Sequence, residues 1–264
     1  MIQFNLNRFG KLAKWSLRND RNYYVKSFLQ LFVVTTLIFL LFTTRFLSLG
    51  SPSVNNAYSP CAVAMIAVIV TMPIMGPSMM FYSMKNKHDK QALLMLPASN
   101  FEKYLMRYST WLILLPIYIV AILGADLIQY LVNIMMNHEY TTFVMSFIVD
   151  KLSNAHMSDE WVPKAAWHAI IVLTLATHSF YALGGTFFRS HKYAWVYTSV
   201  AFVVLGMLSI WLTPESGKME NNSQTSTLEY VIWDTIYAIW MIFNFWLSYR
   251  CFCRTQNIGR FINL

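Results

Sequence analysis

Long apolar stretches alternate with shorter polar and charged stretches along the whole chain. Six of them reach the roughly 20 mostly apolar residues that a membrane-spanning helix needs. They lie at about 28–49, 57–84, 108–134, 165–188, 193–212 and 230–249. The pattern predicts an all-α, multi-pass membrane protein with six transmembrane helices across residues 28–250.

The composition agrees with a membrane protein. Of the 264 residues, 56% are hydrophobic and only 12% are charged, against about 25% charged in an ordinary soluble domain. A net charge of +8 then indicates basic cytosolic loops rather than nucleic-acid binding. We therefore expect the lipid bilayer, and no nucleic acid, as a partner.

The basic residues predict the orientation of the chain. Sixteen of the 20 Lys and Arg residues lie before the first span, at 85–107, at 189–192 or after the last span. Positive charge marks the cytosolic side of membrane proteins, so both termini should be cytosolic, with a tail at 251–264. Residues 133–163 and 214–228 become outer loops, the first long enough for short helices or additional strands.

Residues 1–27 precede the first span and mix apolar with basic side chains. Phe4, Phe9, Leu12 and Trp15 are interspersed with Arg8, Lys11, Lys14 and Arg18. This pattern favours an amphipathic helix lying on the inner membrane surface. A disordered basic tail is the alternative.

The polar segment 85–107 carries a helix-start signal. Ser99 is followed three residues later by Glu102, the spacing of a capping box in which each residue bonds the backbone N–H of the other. Phe101, Tyr104, Leu105 and Tyr108 then recur at helical spacing and predict one apolar face. Such a helix can either lie on the membrane surface and lead into the third span, or dock in a groove of a cytosolic protein.

Two motifs carry a resemblance to a known family. Leu96-Pro97-Ala98-Ser99 with Glu102-Lys103-Tyr104-Leu105, and the junction at 184–194 (GGTFFRSHKYA), resemble small six-span bacterial ABC-exporter permeases of the type-two class. The resemblance implies an inner-membrane transport subunit that pairs as a homodimer or heterodimer. It also implies two separate ABC ATP-binding subunits, which bind ATP and grip the cytosolic loops.

The resemblance places the docking of the ATP-binding subunit on residues of the two cytosolic loops. These are Pro97, Ser99, Phe101, Glu102, Tyr104, Leu105 and Arg107, together with Arg189 and Lys192. The last outer loop is short and polar here, whereas larger exporters of the class place re-entrant helices there.

Sequence motifs for chemistry within this chain are missing. It has no phosphate-binding loop, no His-Glu-x-x-His pair and no Gly-x-Ser-x-Gly elbow,. Cys251 and Cys253 lack a nearby His or a second Cys pair, so we predict no metal site. We expect no enzyme activity, no catalytic residue and no cofactor, with ATP hydrolysis on a separate chain.

A few polar residues lie inside the apolar stretches. An ionisable group at the middle of a bilayer costs about 2.5–3.5 kcal/mol on insertion scales, so Asp126 and His178 should face protein or water. With Gln129 they are candidates for a translocation path. A membrane-bound immunity or regulatory protein without a transported solute is the alternative function.

Overall fold

The computed structural model describes residues 4–44, 54–84, 87–138, 141–156, 164–188, 193–212 and 227–254. These residues are helical and contain no β-strand, which confirms the all-α class. The helices are α1 (Leu6–Asn19), α2 (Arg21–Thr43), α3 (Val54–Met75), α4 (Lys87–Met95), α5 (Asn100–Tyr108), α6 (Thr110–Met135), α7 (Val144–His156), α8 (Lys164–Phe187), α9 (Ala194–Leu212) and α10 (Thr227–Cys253). A short 3-10 helix, Gly76–Met79, follows α3.

Four described segments are long and apolar enough to cross a membrane: Arg21–Thr43, Ala57–Met79, Asn100–Met135 and Val231–Cys253. Two shorter apolar helices, Ile171–Phe187 and Ala194–Leu208, accompany them. The third segment joins α5 to α6, and the 26 residues of α6 suffice for a crossing,. A crossing therefore need not include the polar α5.

The observed ends of two helices differ from the ends of the predicted apolar stretches, and each difference has a physical reason. The first stretch begins at residue 28, but α2 begins at Arg21, because hydropathy marks contact with lipid and a helix can continue into water. The second stretch, predicted to 84, ends as an α-helix at Met75. Pro77 follows within the 3-10 helix, and proline removes a backbone donor and interrupts the helical ladder,.

The chain divides into two compact units. The first consists of Met1–Lys14, Ile74–Trp111 and Pro163–Leu264. In it α8 packs against α9, α10 and the 3-10 helix, and α10 also contacts α5. A Cβ built on Gly185 would lie 2.8 Å from the carbonyl oxygen of Pro77, so only glycine allows this approach of two backbones,.

The second unit consists of Trp15–Pro73 and Leu112–Val162. Its larger core joins residues of α2, α3, α6 and α7, including Phe39, Tyr58, Met65, Ile122 and Ile148. A smaller cluster gathers Tyr24, Met72 and Leu114. The first predicted outer loop therefore contributes α7 to the core of this unit, and no strand occurs in its described part.

Candidate functional site

The start of α5 has the predicted capping geometry. Ser99 has an extended backbone, and its hydroxyl accepts a hydrogen bond from the Glu102 N–H at 3.2 Å. The Glu102 carboxylate accepts one from the Ser99 N–H at 2.8 Å. The capping box is confirmed, and it fixes the angle at which the chain enters α5.

Glu102 also holds the beginning of α1. Its carboxylate accepts hydrogen bonds from the Arg8 guanidinium, with Nη2–Oε1 and Nε–Oε2 distances of 2.6 and 2.8 Å. The backbone N–H of Asn5 donates to Oε1 as well, at 2.8 Å. These donors, led by Arg8, lower the pKa of the buried Glu102 carboxyl to about 2. One carboxylate therefore both caps α5 and binds α1.

Lys103 connects α5 to the end of α4. Its side chain is buried, and Nζ donates a hydrogen bond of 2.7 Å to the carbonyl oxygen of Leu94. The last carbonyls of a helix lack intrahelical partners and carry negative partial charge, which an ammonium group complements. Burial lowers the pKa of Lys103 from its ordinary value. The contact fixes the bend between the two short helices.

Tyr104 connects α5 to α10. Its hydroxyl lies 3.0 Å from Oγ of Ser248, and its ring packs edge-on against Tyr249 and Phe252. Ser248 in turn donates to the carbonyl oxygen of Ala182 on α8 at 3.0 Å. A displacement of α5 would therefore reach both α10 and α8 through one buried serine.

Three of the predicted docking residues, Ser99, Glu102 and Tyr104, thus form hydrogen bonds inside the first unit. Arg107 is buried as well, and its Nη1 donates to Ser83 at 3.1 Å. Tyr108 bonds His178, so the predicted apolar face packs largely on the chain itself. Arg189 and Lys192 lie outside the described residues.

The surface that remains exposed is centred on the bend between α4 and α5. The side chain of Met95 is 84% exposed, that of Phe101 48%, and Pro97 is exposed too. Phe101 contacts the ring of Phe4, itself exposed, with ring centroids 6.0 Å apart. We call Met95, Pro97 and Phe101 the bend patch. Leu105 is half-buried and borders it.

Asp126 and Gln129, the candidates on α6, are engaged with the start of α7. The Asp126 carboxylate accepts from the N–H groups of Val144 and Met145 at 2.8 and 3.1 Å. Gln129 donates to Asp126 at 3.0 Å and to the carbonyl oxygen of Thr142 at 2.9 Å. Both side chains are buried, which confirms that Asp126 faces protein, and their hydrogen bonds serve the attachment of α7.

The position of this attachment shows that the chain turns back before α7 begins. Asp126 lies nine residues before Met135, the last residue of α6, which is about 14 Å along a helix axis. The chain must therefore turn back along α6 before α7 begins.

His178, the third candidate for a translocation path, is buried in the first unit. Its Nε2 is hydrogen-bonded to the Tyr108 hydroxyl, and its ring lies against Trp111 with centroids 5.0 Å apart. Phe245 of α10 also approaches the ring, at 6.3 Å. The arrangement joins α5, α6, α8 and α10 around one imidazole.

Sequence reasoning missed Arg8 and Ser248 as members of this site. The sequence placed Arg8 only among the basic side chains of the first helix. Helical periodicity cannot predict its partner Glu102, which lies 94 residues away. A signal for Ser248 did exist, because Asn244 and Ser248 are polar, four residues apart and inside an apolar stretch. Both are buried, and Asn244 bonds Ser179 of α8 at 3.1 Å.

Across the described residues, no three His, Cys, Asp or Glu side chains lie close enough to hold a metal ion. Comparison with known proteins adds no relative: no family model, curated protein or solved structure matches the chain.

Proposed function

We propose that this chain is the permease subunit of an ABC transporter of the bacterial inner membrane. It forms the membrane path, and a separate ATP-binding subunit docks on the bend patch and hydrolyses ATP. Six spans with both termini cytosolic are part of the proposal, as is the pairing of two permeases. The family resemblance favours export as the direction.

One observation carries this proposal: the bend patch is exposed, yet the helix behind it is held rigidly. Glu102 fixes the start of α5 and binds α1, Lys103 fixes the end of α4, and Tyr104 reaches Ser248 of α10. A flexible loop would deform locally when a bound partner moves. Because α4 and α5 are fixed by these hydrogen bonds, a movement of the partner would be transmitted to α10 and α8.

The exposed surface also has the chemistry that a helix-in-groove contact needs. Met95 and Phe101 offer apolar anchors, and methionine adapts to irregular grooves,. The charge distribution supports a cytosolic position, because 16 of the 20 basic residues fall on that predicted side,. As the partner ATPases close and open, the permeases would alternate between inward-facing and outward-facing states.

Co-expression with the ATP-binding subunit expected from a neighbouring reading frame tests the proposal. The double substitution Met95→Asp and Phe101→Asp should abolish co-purification, because two carboxylates cannot enter an apolar groove without a desolvation cost. Tyr104 is unsuitable for this test, since it is buried against α10.

Met135→Asp is the matched control. Met135 is also a helix-terminal methionine, 83% exposed against 84% for Met95, and belongs to the predicted outer side. It should leave co-purification unchanged. Retention of the ATPase by the double variant, or equal loss with Met135→Asp, contradicts docking at the bend patch. Absence of any ATP-binding partner for the wild-type chain contradicts the permease role.

A further inference from the structure

Helix α1 carries four basic residues and no acidic residue. Arg8 is paired with Glu102, whereas Lys11, Lys14 and Arg18 are exposed and form no ion pair within the part of the chain that the structure describes. The three follow one another at intervals of three and four residues. They therefore lie on one side of the helix, with consecutive Cβ atoms about 5–6 Å apart. We call Lys11, Lys14 and Arg18 the basic face of α1.

Contacts on the other side of α1 fix the rotation of the helix about its axis. Arg8 donates to the Glu102 carboxylate at 2.6 and 2.8 Å. Leu12 and Ser16 follow Arg8 at steps of four residues, and both are buried. One step further, the buried Asp20 carboxylate accepts a hydrogen bond from Ser16 at 3.1 Å. Because residues four apart share a side of a helix, this side is covered by the chain and the basic face is turned outward.

The apolar side chains of α1 are only partly available to a membrane. Leu12 is buried, and Phe9 and Trp15 are half-buried. Two leucines remain exposed, Leu6 by 74% and Leu17 by 45%. They are separated by about three turns of helix, so both lie along the same flank of the basic face. The outward half of α1 therefore combines a row of cations with an apolar edge.

The position of α1 in the chain points to a bilayer as the partner of this surface. Helix α1 ends at Asn19, and α2, which is long and apolar enough to cross a membrane, begins at Arg21. Only Asp20 separates the two helices, so the end of α1 lies at the surface of any bilayer that α2 crosses. A helix with cations beside exposed apolar residues is suited to the layer of lipid headgroups.

We infer that the basic face of α1 binds the headgroups of anionic phospholipids. Lys11, Lys14 and Arg18 contact the phosphate groups, and Leu6 and Leu17 enter the boundary between headgroups and acyl chains. Charge selects anionic over zwitterionic lipids, because only an anionic surface attracts lysine and arginine over a distance. The inference goes beyond the proposed function: it requires that α2 crosses a bilayer, and it depends neither on an ATP-binding subunit nor on the orientation of the chain.

Hydrogen exchange tests this inference on the full-length protein in two kinds of nanodisc. One contains phosphatidylcholine alone, and the other contains phosphatidylcholine mixed with phosphatidylglycerol. The measured quantity is the ratio of the exchange rates of the α1 amides in the two discs. Exchange should be slower with phosphatidylglycerol, because a ligand that binds the folded helix opposes its local opening.

Neutralising the basic face should reduce this ratio. Each of Lys11→Gln, Lys14→Gln and Arg18→Gln should lower it by up to about fivefold, the equivalent of about 1 kcal/mol for a basic residue near an anionic surface. Salt at about 1 M, where the Debye length is about 3 Å, should bring the ratio close to one.

Two controls separate headgroup binding from a general weakening of α1. Leu17→Gln removes an exposed apolar side chain without changing the charge, so it should speed exchange in both discs and leave the ratio unchanged. Lys151→Gln removes an exposed charge from α7 and should alter neither rate in α1.

Equal exchange of the α1 amides in the two discs overturns the inference. A ratio that persists when Lys11, Lys14 and Arg18 are all replaced by glutamine overturns it too. If inorganic phosphate slows exchange in phosphatidylcholine discs as phosphatidylglycerol does, a free anion and not a membrane is the ligand. Loss of the ATP-binding subunit from the triple variant with an unchanged ratio would assign the basic face to an acidic protein. Either of these two results also overturns the assignment to lipid.

Discussion

Arg8 and Glu102 form a bidentate ion pair across 94 residues of sequence, with oxygen–nitrogen distances of 2.6 and 2.8 Å. The pair joins the first helix of the chain to the helix that we propose as the docking element. Glu102 is fully buried, whereas the Arg8 side chain is 31% exposed. Water therefore reaches the pair from the Arg8 side. The strength of the ion pair depends on the ionisation of the Glu102 carboxylate.

The pH dependence of stability should report this pair. The pKa of Glu102 lies near 2 in the folded protein, below the ordinary 4.5, so the folded state binds this proton more weakly than the unfolded chain. The contribution of Glu102 is complete above about pH 4.5 and is lost as the pH falls toward 2. Thermal unfolding from pH 6 to 3 should show a larger decline for wild type than for Glu102→Gln.

A parallel decline of both proteins would contradict this assignment. Lys11→Gln, which removes an exposed charge from the same helix α1, is the control and should follow wild type. Hydrogen exchange at fixed pH should also be severalfold faster in α1 of Glu102→Gln.

Asp126→Ala should detach the start of α7. The substitution removes two acceptor contacts to backbone N–H groups, and each buried unsatisfied group costs about 1–3 kcal/mol. Hydrogen exchange in Val144–Ile148 should rise, and the unfolding temperature should fall. Asp126→Asn keeps one acceptor oxygen and should give an intermediate effect, while Asp150→Ala, on the exposed face of α7, should change neither quantity.

Tyr104 and Ser248 should be energetically coupled. Tyr104→Phe removes one hydroxyl from a buried pair, with an expected loss of about 1 kcal/mol. Ser248→Ala also removes the bond to Ala182 and should cost more. In a double-mutant cycle of unfolding free energies, the double variant should lose less than the two single losses combined; strict additivity would show that the hydroxyls do not interact.

Gly185→Ala and Gly206→Ala form a matched pair in neighbouring helices. A Cβ at Gly185 would meet backbone atoms of Pro77 and Ser78 at 2.8 and 2.9 Å, and such overpacking costs about 1–3 kcal/mol. A Cβ at Gly206 meets nothing within 4 Å. Alanine there should be neutral or stabilising by up to about 1 kcal/mol, as measured by thermal unfolding in detergent.

Thiol labelling in intact cells tests the orientation. Met95→Cys and Met135→Cys place reactive groups at two exposed helix ends. A membrane-impermeant maleimide should modify the cysteine at 135 from outside and reach the one at 95 only after the cells are opened. Modification at 95 in intact cells would reverse the orientation and refute docking in the cytosol.

Local signals in the sequence located features that depend on neighbouring residues. Ser99 and Glu102 lie three apart, so their capping box follows from helix geometry alone. The burial of Asp126 followed from the cost of a carboxylate in lipid. The contact between Asp126 and Val144 could not be predicted in this way, because the return of the chain along α6 depends on tertiary packing of Ile148 and Phe147. Periodicity likewise identified the apolar face of α5. The family resemblance assigned that face to a partner, whereas Tyr104 packs on α10.

The attachment of α7 to Asp126 imposes an order on how the proposed membrane protein is assembled. If α6 crosses the membrane as we propose, ribosomal synthesis delivers it first, and Asp126 reaches the bilayer before the backbone N–H groups of Val144 and Met145 have been made. Until they arrive, the carboxylate bears the insertion cost of about 2.5–3.5 kcal/mol or retains water. A chain truncated just after α6 should therefore integrate poorly into the membrane. Extending it through α7 should restore integration.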